Sequence, residues 1–247
     1  MSFSLTDIAT LTEGHQLGED SSFRSVSTDT RSLKPGDLFV ALKGPNFNGN
    51  EFAMRAMSLG ACGVMVDQPL QEQIPQVVVG DTLKALQQLG QMWRMRSGAK
   101  LVAVTGSNGK TTVKELLAAV LGTQGNTLKT EGNLNNHIGV PLTLLRLQEE
   151  KLAVIEMGAS GAGEIAELAA IAKPDIAIVT NTAEAHLEGF GSREGVARAK
   201  GELFEALAET GVAIVNRDDP FASYWLEKLE GRSVIGFGFG VEADVRA

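Results

Sequence analysis

The sequence contains a single cysteine, Cys62, and it lacks any run of about 18 apolar residues, the minimum for a membrane-spanning helix. One cysteine cannot form an internal disulfide, which is typical of a protein from a reducing compartment. The acidic residues Asp7 and Glu13 also occupy the stretch in which a secretory signal would be apolar. We therefore expect a cytoplasmic protein without a membrane partner.

Basic residues are outnumbered, since 22 Lys and Arg stand against 30 Asp and Glu, which gives a net charge of -8. This balance argues against non-specific binding to nucleic acid, which requires a basic surface. The 247 residues, 43% of them hydrophobic, are enough for one large core or two modest ones. We expect two domains in a monomeric protein.

The pattern of apolar runs changes near residues 97–98, where we place the boundary between domains 1–97 and 98–247. Before it, short apolar runs at 37–42, 62–66 and 76–79 predict strands, because they are bounded by glycine and proline turns. The segments 51–59 and 83–96 predict helices. The first domain is therefore predicted to be a small α/β unit.

After residue 98, apolar strands at 101–104, 152–155, 176–179 and 212–215 alternate with helical segments. This alternation predicts a mostly parallel sheet flanked by helices. The helix that begins at Lys110 is expected to pack on the sheet through one apolar face, made of Val113, Leu116, Leu117, Val120 and Leu121. The chain stops at Ala247, soon after the apolar run 234–237, with no evident element to close the second domain, so we expect a truncated second domain.

A glycine-rich segment follows the first of these strands. It comprises Thr105, Gly106, Ser107, Asn108, Gly109, Lys110, Thr111 and Thr112. A loop between a strand and a helix directs backbone N–H groups and the helix dipole at an anion. Lys110 would reach the β- and γ-phosphates and the Thr111 hydroxyl would bind magnesium, although Val104 replaces the first glycine of the usual pattern. We predict nucleotide triphosphate binding here.

Two more candidates follow later strands. Glu156 comes directly after the strand at 152–155, at the sheet edge where α/β proteins bind ligands. It is either a second magnesium ligand or a carboxylate that caps the next turn. His186 follows the strand at 176–179, and a lone histidine of this kind is either a metal ligand or a hydrogen-bonded structural residue.

Lys200 shares a helical face with Leu203, Phe204 and Leu207, which places a lysine toward the core. Its ammonium either extends to water along an apolar stem, or the side chain has reacted with carbon dioxide to form an anionic carbamate that suits a magnesium site. The asparagines at 133, 135 and 136 crowd one loop. Asn133, Asn135 and Asn136 either shape a turn or bind phosphate or sugar oxygens.

Five motifs occur in a fixed order: Thr-Gly-Ser-Asn-Gly-Lys-Thr-Thr (105–112), Gly-Asn-Leu-Asn-Asn (132–136), Val-Ile-Glu-Met-Gly-Ala (154–159), Ala-His-Leu-Glu-Gly-Phe-Gly (185–191) and Ala-Lys-Gly-Glu-Leu-Phe (199–204). Together they closely resemble the Mur ligases of bacterial cell-wall synthesis. The segments 27–31 and 35–41 resemble the UDP-binding domain of that family, so the likeness spans nearly the whole chain. The exact forms of the second and fourth motifs favour the members that use a dipeptide amine.

The resemblance assigns roles to the candidates. It implies that Lys110 binds ATP phosphates, that Thr111, Glu156 and His186 serve magnesium ions, and that Lys200 is carbamylated. Lys110, Lys200 and His186 would be catalytic. The substrate-binding residues would be Thr28, Asp29, Thr30 and Arg31 in the uridine pocket and Asn133, Asn135 and Asn136 facing the UDP-sugar.

The implied reaction is ATP-dependent amide formation between UDP-N-acetylmuramoyl-tripeptide and D-alanyl-D-alanine, through an acyl phosphate, in peptidoglycan precursor synthesis. The chain departs from the family at 48–50, where Asn-Gly-Asn replaces the common Asp-Gly-His. The His-Asn-x-x-Asn motif that helps to hold adenine, and the C-terminal domain, would lie beyond Ala247, so we expect this chain alone to be inactive.

Two alternatives remain open, and a third lacks its defining motif. A sibling ligase would use a different amine, for example a single amino acid, or would add glutamate to a folate. A nucleotide-hydrolysing switch would need a guanine-reading Asn-Lys-x-Asp, which the sequence lacks. The chain could also act only as a nucleotide- and UDP-sugar-binding module.

Overall fold

The computed structural model describes residues 2–184 and 187–246. The chain folds into two compact units, Met1–Trp93 and Arg94–Ala247. The predicted boundary after residue 97 stays a prediction, because a single helix, Thr82–Ser97, runs through the division. Within the described ranges, no helix is both long enough and apolar enough to cross a membrane.

The first unit is built from short strands and three helices. Its elements are β1 (Phe3–Ser4), α1 (Leu5–Thr12), β2 (His15–Leu17), β3 (Ser22–Phe23), β4 (Val26–Ser27), β5 (Leu38–Val40), β6 (Lys43–Gly44), β7 (Phe47–Asn48), a 3-10 turn (Gly49–Phe52), α2 (Ala53–Ser58), β8 (Gly63–Val66), β9 (Gln76–Val78) and α3 (Thr82–Ser97). Its main sheet has the order β2-β9-β8-β5-β4 and is parallel except for β2. The predicted α/β unit is confirmed.

The second unit alternates strands and helices. Its elements are β10 (Lys100–Thr105), α4 (Lys110–Gly122), β11 (Thr127–Lys129), α5 (Gly139–Leu144), β12 (Leu152–Glu156), α6 (Glu164–Ala172), β13 (Ile176–Val179), α7 (Leu187–Phe190), α8 (Arg193–Glu205), β14 (Val212–Asn216), α9 (Ala222–Lys228), β15 (Ser233–Gly238) and β16 (Val245–Arg246). All neighbours in the sheet β11-β12-β10-β13-β14-β15-β16 are parallel. The predicted flanked parallel sheet is confirmed, and β11, β15 and β16 extend it beyond the four predicted strands.

The prediction for the face of α4 is partly wrong. Leu116 and Val120 are 63% and 65% exposed, whereas Lys114 is 1% exposed. Val113 and Leu117 do pack on the sheet cluster. At 100° per residue, Lys114 lies on one flank of the row 113–117–121, and Leu116 and Val120 lie on the other. The sheet covers the first flank, so a lysine is buried and two apolar residues are exposed.

The strand order places a switch point at β10. The chain leaves β10 through α4 and reaches β11 and then β12 on one side of it, and the connection after β12 crosses to β13 on the other side. Ligands of open α/β sheets bind outside the carboxyl ends of the strands at such a reversal. The segment that follows β10 is the predicted phosphate loop.

Candidate active site

Two glycines determine the path of the loop at 105–112. Gly106 has φ +144°, and a Cβ built on it would lie 1.9 Å from Oγ1 of Thr180, so no larger residue fits without a shift. Gly109 has φ +78° and precedes the first residue of α4. L-residues rarely adopt either conformation. The glycines therefore let the backbone turn from the sheet directly into the helix, which leaves the first N–H groups of α4 without intrahelical partners.

The end of β13 holds this loop in place. The Ser107 N–H donates to the carbonyl of Asn181 at 2.9 Å, and the Asn108 N–H donates to Oδ1 of the same residue at 3.1 Å. Thr180 donates from Oγ1 to the Asn108 carbonyl at 2.6 Å. Thr180 and Asn181 are not among the residues predicted from the sequence, although a polar run that follows a buried strand at the switch point is a usable signal.

Lys110 folds back over the loop. Its Nζ donates to the carbonyls of Gly106 at 2.8 Å and Ser107 at 3.2 Å. Burial lowers its pKa, and the nearby charge of Glu156 opposes that shift. Of the remaining loop residues, Thr105 is buried and donates to the Met157 carbonyl, so its contact is structural. Lys110 thus lies at the loop, where it can exchange carbonyl partners for phosphate oxygens.

Glu156 is the centre of a polar cluster at the end of β12. It is only 2% exposed. Its Oε2 accepts from Oγ1 of Thr111 at 3.0 Å, and its Oε1 accepts from Nδ2 of Asn135 at 2.9 Å. The predicted magnesium pair and one of the three asparagines therefore meet here.

The other asparagines behave differently. Oδ1 of Asn136 accepts from the N–H groups of Ile138 and Gly139, so this residue shapes the turn before α5, and it also lines the cavity described below. The Asn133 carbonyl accepts from the Asn135 N–H at 2.7 Å. Thr112 is exposed on the first turn of α4.

The Thr111 and Glu156 oxygens fit a magnesium ion. Magnesium prefers hard oxygen ligands and usually keeps several waters beside one or two protein groups and the phosphates of a substrate. A hydroxyl oxygen 3.0 Å from a buried carboxylate oxygen, beside the predicted phosphate loop, is a donor set of this type. Among the described residues, no group of three or more His, Cys, Asp or Glu side chains forms a separate metal cluster.

Lys110 and Lys200 line one cavity of about 320 Å³. It is bounded by Gly106, Ser107, Lys110, Asn135, Asn136, Gly158, Ala159, Ser160, Glu164, Phe190, Val196 and Lys200. Residues from the loop, the asparagine segment, the end of β12 and α8 are therefore brought together. Glu164 and Ser160 are additional lining residues that the sequence analysis missed.

The Lys200 side chain is buried in an unusual way for a lysine. It is 3% exposed, and its Nζ lies 5.3 Å from the centre of the Phe190 ring. Burial and then the Lys110 charge lower its pKa to about 8, against the opposing charges of Glu164 and Glu202. Near neutral pH a larger fraction of Lys200 is thus unprotonated than of an ordinary lysine.

His186, predicted as a magnesium ligand and catalytic residue, lies outside the described residues. A larger cavity of about 770 Å³ lies in the second unit by Lys100, Ile176 and Val212, at the amino ends of β10, β13 and β14. It is at the opposite sheet edge from the phosphate loop, so its size does not make it the active site.

The predicted uridine residues line a cavity of the first unit. Thr28, Asp29, Thr30 and Arg31 border a space of about 420 Å³ together with Phe39, Leu42, Phe47, Gly49, Phe52 and Arg55. Nη2 of Arg31 lies 2.6 Å from Oδ2 of Asp29. The hydrogen bonds from Arg31 lower the pKa of Asp29 to about 2.

Comparisons with known proteins agree with this geometry. The family model described as the Mur ligase middle domain matches residues 104–247, and the model described as the Mur ligase family catalytic domain matches residues 22–94. UDP-N-acetylmuramoyl-tripeptide--D-alanyl-D-alanine ligase of Escherichia coli is 48% identical over 238 residues, which are 96% of this chain and 53% of that protein.

Solved structures show the same likeness. A crystal structure of MurF from Acinetobacter baumannii has a TM-score of 0.91 and 37% identity, and it covers 97% of this chain and 54% of its own. MurF ligase from Thermotoga maritima in complex with ADP has a TM-score of 0.80 and 34% identity, with coverage of 87% and 50%. The chain spans about half the length of the relatives it matches. Because a family model covers more than half of it, the chain belongs to the Mur ligase family.

Proposed function

We propose that this chain carries the nucleotide- and UDP-sugar-binding parts of an ATP-dependent ligase that joins D-alanyl-D-alanine to UDP-N-acetylmuramoyl-tripeptide. The observation that carries the proposal is the convergence of Lys110, Asn135 and Lys200 on one cavity beside the Thr111–Glu156 pair. The name of the Escherichia coli relative supports the substrates, and the ADP complex of the Thermotoga maritima relative supports the nucleotide. We place this activity in cytoplasmic peptidoglycan precursor synthesis, in a monomer.

In the proposed reaction, the terminal carboxylate of the tripeptide attacks the γ-phosphorus of ATP and ADP leaves. The amine of the dipeptide then attacks the acyl phosphate, phosphate leaves and the amine loses a proton. The loop at 105–112 binds the phosphates with backbone N–H groups, and Lys110 neutralises charge on the transferred group. The protein does little covalent chemistry, so the rate depends on how it positions the reactants and stabilises their charge.

Thr111 and Glu156 would hold the magnesium ion. When bound, the ion supplies Lewis-acid stabilisation of the phosphate oxygens. The protein orients the two oxygen ligands. Asn135 helps to orient Glu156 through its hydrogen bond to Oε1 at 2.9 Å.

Lys200 would serve the same site as a carbamate. The ammonium first loses a proton, and the neutral Nζ then attacks the carbon of carbon dioxide and releases a second proton, so that the cation becomes a carbamate anion. Burial and the Lys110 charge favour the unprotonated amine that this step needs. An anion at Lys200 would also remove the repulsion between the two ammonium groups that line one cavity.

The UDP end of the substrate would bind in the first unit, in the cavity lined by Thr28, Asp29, Thr30 and Arg31. The exposed rings of Phe47 and Phe52 border the same cavity and offer an apolar surface to a planar base. Asn136 in the second unit would face the sugar-peptide part.

The decisive assay measures ADP release by a full-length ligase that contains this chain, with ATP, magnesium, UDP-N-acetylmuramoyl-tripeptide and one candidate amine at a time. The proposal requires release that depends on D-alanyl-D-alanine. Release with a single amino acid but not with the dipeptide would indicate a sibling ligase and overturn the proposed substrate.

A second candidate, a module that binds ADP and the UDP-sugar without turnover, applies to the isolated 247-residue chain. The presence of two separate cavities, one beside residues 105–112 and one beside residues 28–31, favours it. Calorimetry with ADP and with the UDP-sugar, beside a turnover assay on the same sample, separates binding alone from catalysis.

A further inference from the structure

Lys114 is a buried lysine without a part in the ligand contacts described above. It lies on α4, one helical turn after Lys110, and it is 1% exposed. A buried ammonium is strongly destabilising unless it is paired and hydrogen-bonded. It is not one of the described residues that line the 320 Å³ cavity. Its partners therefore decide what it does.

Two of those partners, Thr130 and Glu156, lie at the ends of β11 and β12, and the third, Glu115, is its neighbour on α4. Nζ of Lys114 donates to the carbonyl of Thr130 at 2.9 Å and lies 2.9 Å from Oε1 of Glu115. It also lies 3.9 Å from Oε2 of Glu156, which is too long for a hydrogen bond but close enough for strong attraction in a buried place. Thr130 in turn accepts the Glu156 N–H at 2.9 Å through its Oγ1.

Two lysines thus attract one carboxylate. Lys110 interacts electrostatically with Glu156 from the first residue of α4, and Lys114 does so from one helical turn further along, at 3.9 Å from Oε2. Without Lys114, the attraction of Lys110 would act alone and draw the carboxylate toward the place of the phosphates. The hydrogen bond from Thr111 to Oε2 would compete poorly, because a neutral donor attracts a carboxylate less than an ammonium does.

We propose that Lys114 is a positioning residue that holds the Glu156 carboxylate toward Thr111 and away from Lys110, so that the pair can receive a magnesium ion with the nucleotide. This inference rests on the proposed function, since it assigns a role in the same site. Lys114 would contact neither nucleotide nor metal and would act only through Glu156 and Thr130.

The test is calorimetric titration of the 247-residue chain with ADP, with and without magnesium chloride. The measured quantity is the ratio of the ADP affinity with magnesium to the ADP affinity without it, which we call the magnesium factor. In Lys114→Met this factor should fall about 10-fold, as is usual when the support of a metal ligand is removed. The ADP affinity without magnesium, which depends on the loop and Lys110, should be kept.

Two further variants sharpen the result. Lys129→Met is the matched control, because Lys129 is an exposed lysine that pairs with the same Glu115, and its magnesium factor should stay at the unsubstituted value. Lys114→Gln keeps a donor for the Thr130 carbonyl but removes the charge, and it carries the test should Lys114→Met not fold. It should lose the magnesium factor as Lys114→Met does.

An unchanged magnesium factor in both Lys114 variants would overturn the inference, and so would an equal loss of ADP affinity with and without magnesium, which indicates a merely structural lysine. The proposed function itself would be contradicted by a different result, in which the unsubstituted chain binds no ADP or binds it without any effect of magnesium. The two failures are therefore distinguishable.

Discussion

Thr111 and Glu156 are 45 residues apart in the chain, yet Oγ1 of Thr111 lies 3.0 Å from Oε2 of Glu156. The parallel pairing of β10 with β12 brings them together, because it places Val104 opposite Glu156 at the carboxyl end of both strands. The loop then returns α4 over that edge. The sheet register therefore builds the proposed magnesium pair.

Glu156→Gln should abolish most of the magnesium effect on ADP binding. A neutral amide oxygen is a much weaker ligand for a hard cation than a carboxylate, so we expect the magnesium-dependent tightening to fall by at least about 10-fold. Calorimetric titration with ADP at fixed magnesium measures it. Glu115→Gln is the control, because Glu115 is exposed and also pairs with Lys114. Equal magnesium factors in the two variants would speak against Glu156 as a ligand.

Gly106→Ala should disrupt the phosphate loop. The new Cβ would lie 1.9 Å from Oγ1 of Thr180, and the backbone at φ +144° is strained for alanine. We expect a loss of about 1–3 kcal/mol in the free energy of unfolding and loss of ADP binding. Urea denaturation and calorimetry measure the two effects.

Gly122→Ala is the control for that variant. Gly122 lies in the last turn of α4 and a Cβ there meets no atom within 4 Å. Alanine should therefore stabilise the helix by about 0.5–1 kcal/mol and leave ADP binding intact. A Gly106→Ala chain that binds ADP as tightly as the Gly122→Ala chain would show that the loop tolerates a side chain.

Much of the fold follows from the sequence because its strands are buried on both faces. Runs such as 152–155 and Ile176–Val179 are continuous, apolar and bounded by polar residues, so the pattern of apolar residues predicts them. The short edge strands Thr127–Lys129 and Val245–Arg246 contain too few residues for any pattern. Their existence depends on pairing with a neighbour strand, which is a tertiary effect.

The same limit explains what was missed in the site. Glu156 is predictable because it directly follows an apolar strand, and Lys110 because it belongs to a glycine-rich segment between a strand and a helix. Lys114 is not, because a helical pattern that counts apolar residues cannot show that a lysine faces a carboxylate from another strand. Thr180 contacts the loop through the β10–β13 pairing, which the sequence does not display.

Arg94→Met should destabilise the second unit. Arg94 is 6% exposed, and its guanidinium donates to the carbonyls of Ala172 and Lys173 and to Asp175. Removing it leaves carbonyl groups at the end of α6 without their donor, so we expect a loss of about 2–3 kcal/mol in the free energy of unfolding.

Lys100→Met is the matched control, because Lys100 pairs with the same Asp175 but is 75% exposed. Its loss should be below about 1 kcal/mol. Urea denaturation of both variants measures the difference. Losses of similar size would mean that the Asp175 ion pair, and not the capping of α6 by Arg94, carries the stabilisation.

Lys200 should make the stability of the chain depend on pH. Its pKa is lowered from 10.5 to about 8 in the folded state by burial and by Lys110. Between these two pH values the unfolded chain binds more protons than the folded chain, so the free energy of unfolding rises with pH across that window. Below about pH 8 the buried ammonium lowers the free energy of unfolding by its full amount. At neutral pH this cost of burying the charged Lys200 is about 3 kcal/mol in the free energy of unfolding.

Lys200→Met should remove this cost, which makes the variant more stable than the unsubstituted chain near neutral pH and brings the two together as the pH approaches the ordinary lysine pKa. Urea denaturation in bicarbonate-free buffer, at about pH 7 and about pH 9.5, measures the difference. Lys228→Met serves as the control, because Lys228 is exposed and pairs with Glu205 at 3.2 Å, so its removal should lower stability slightly at both pH values. A Lys200→Met chain with the same dependence on pH as the unsubstituted chain would assign that dependence to another group and show that the buried amine keeps its ordinary pKa.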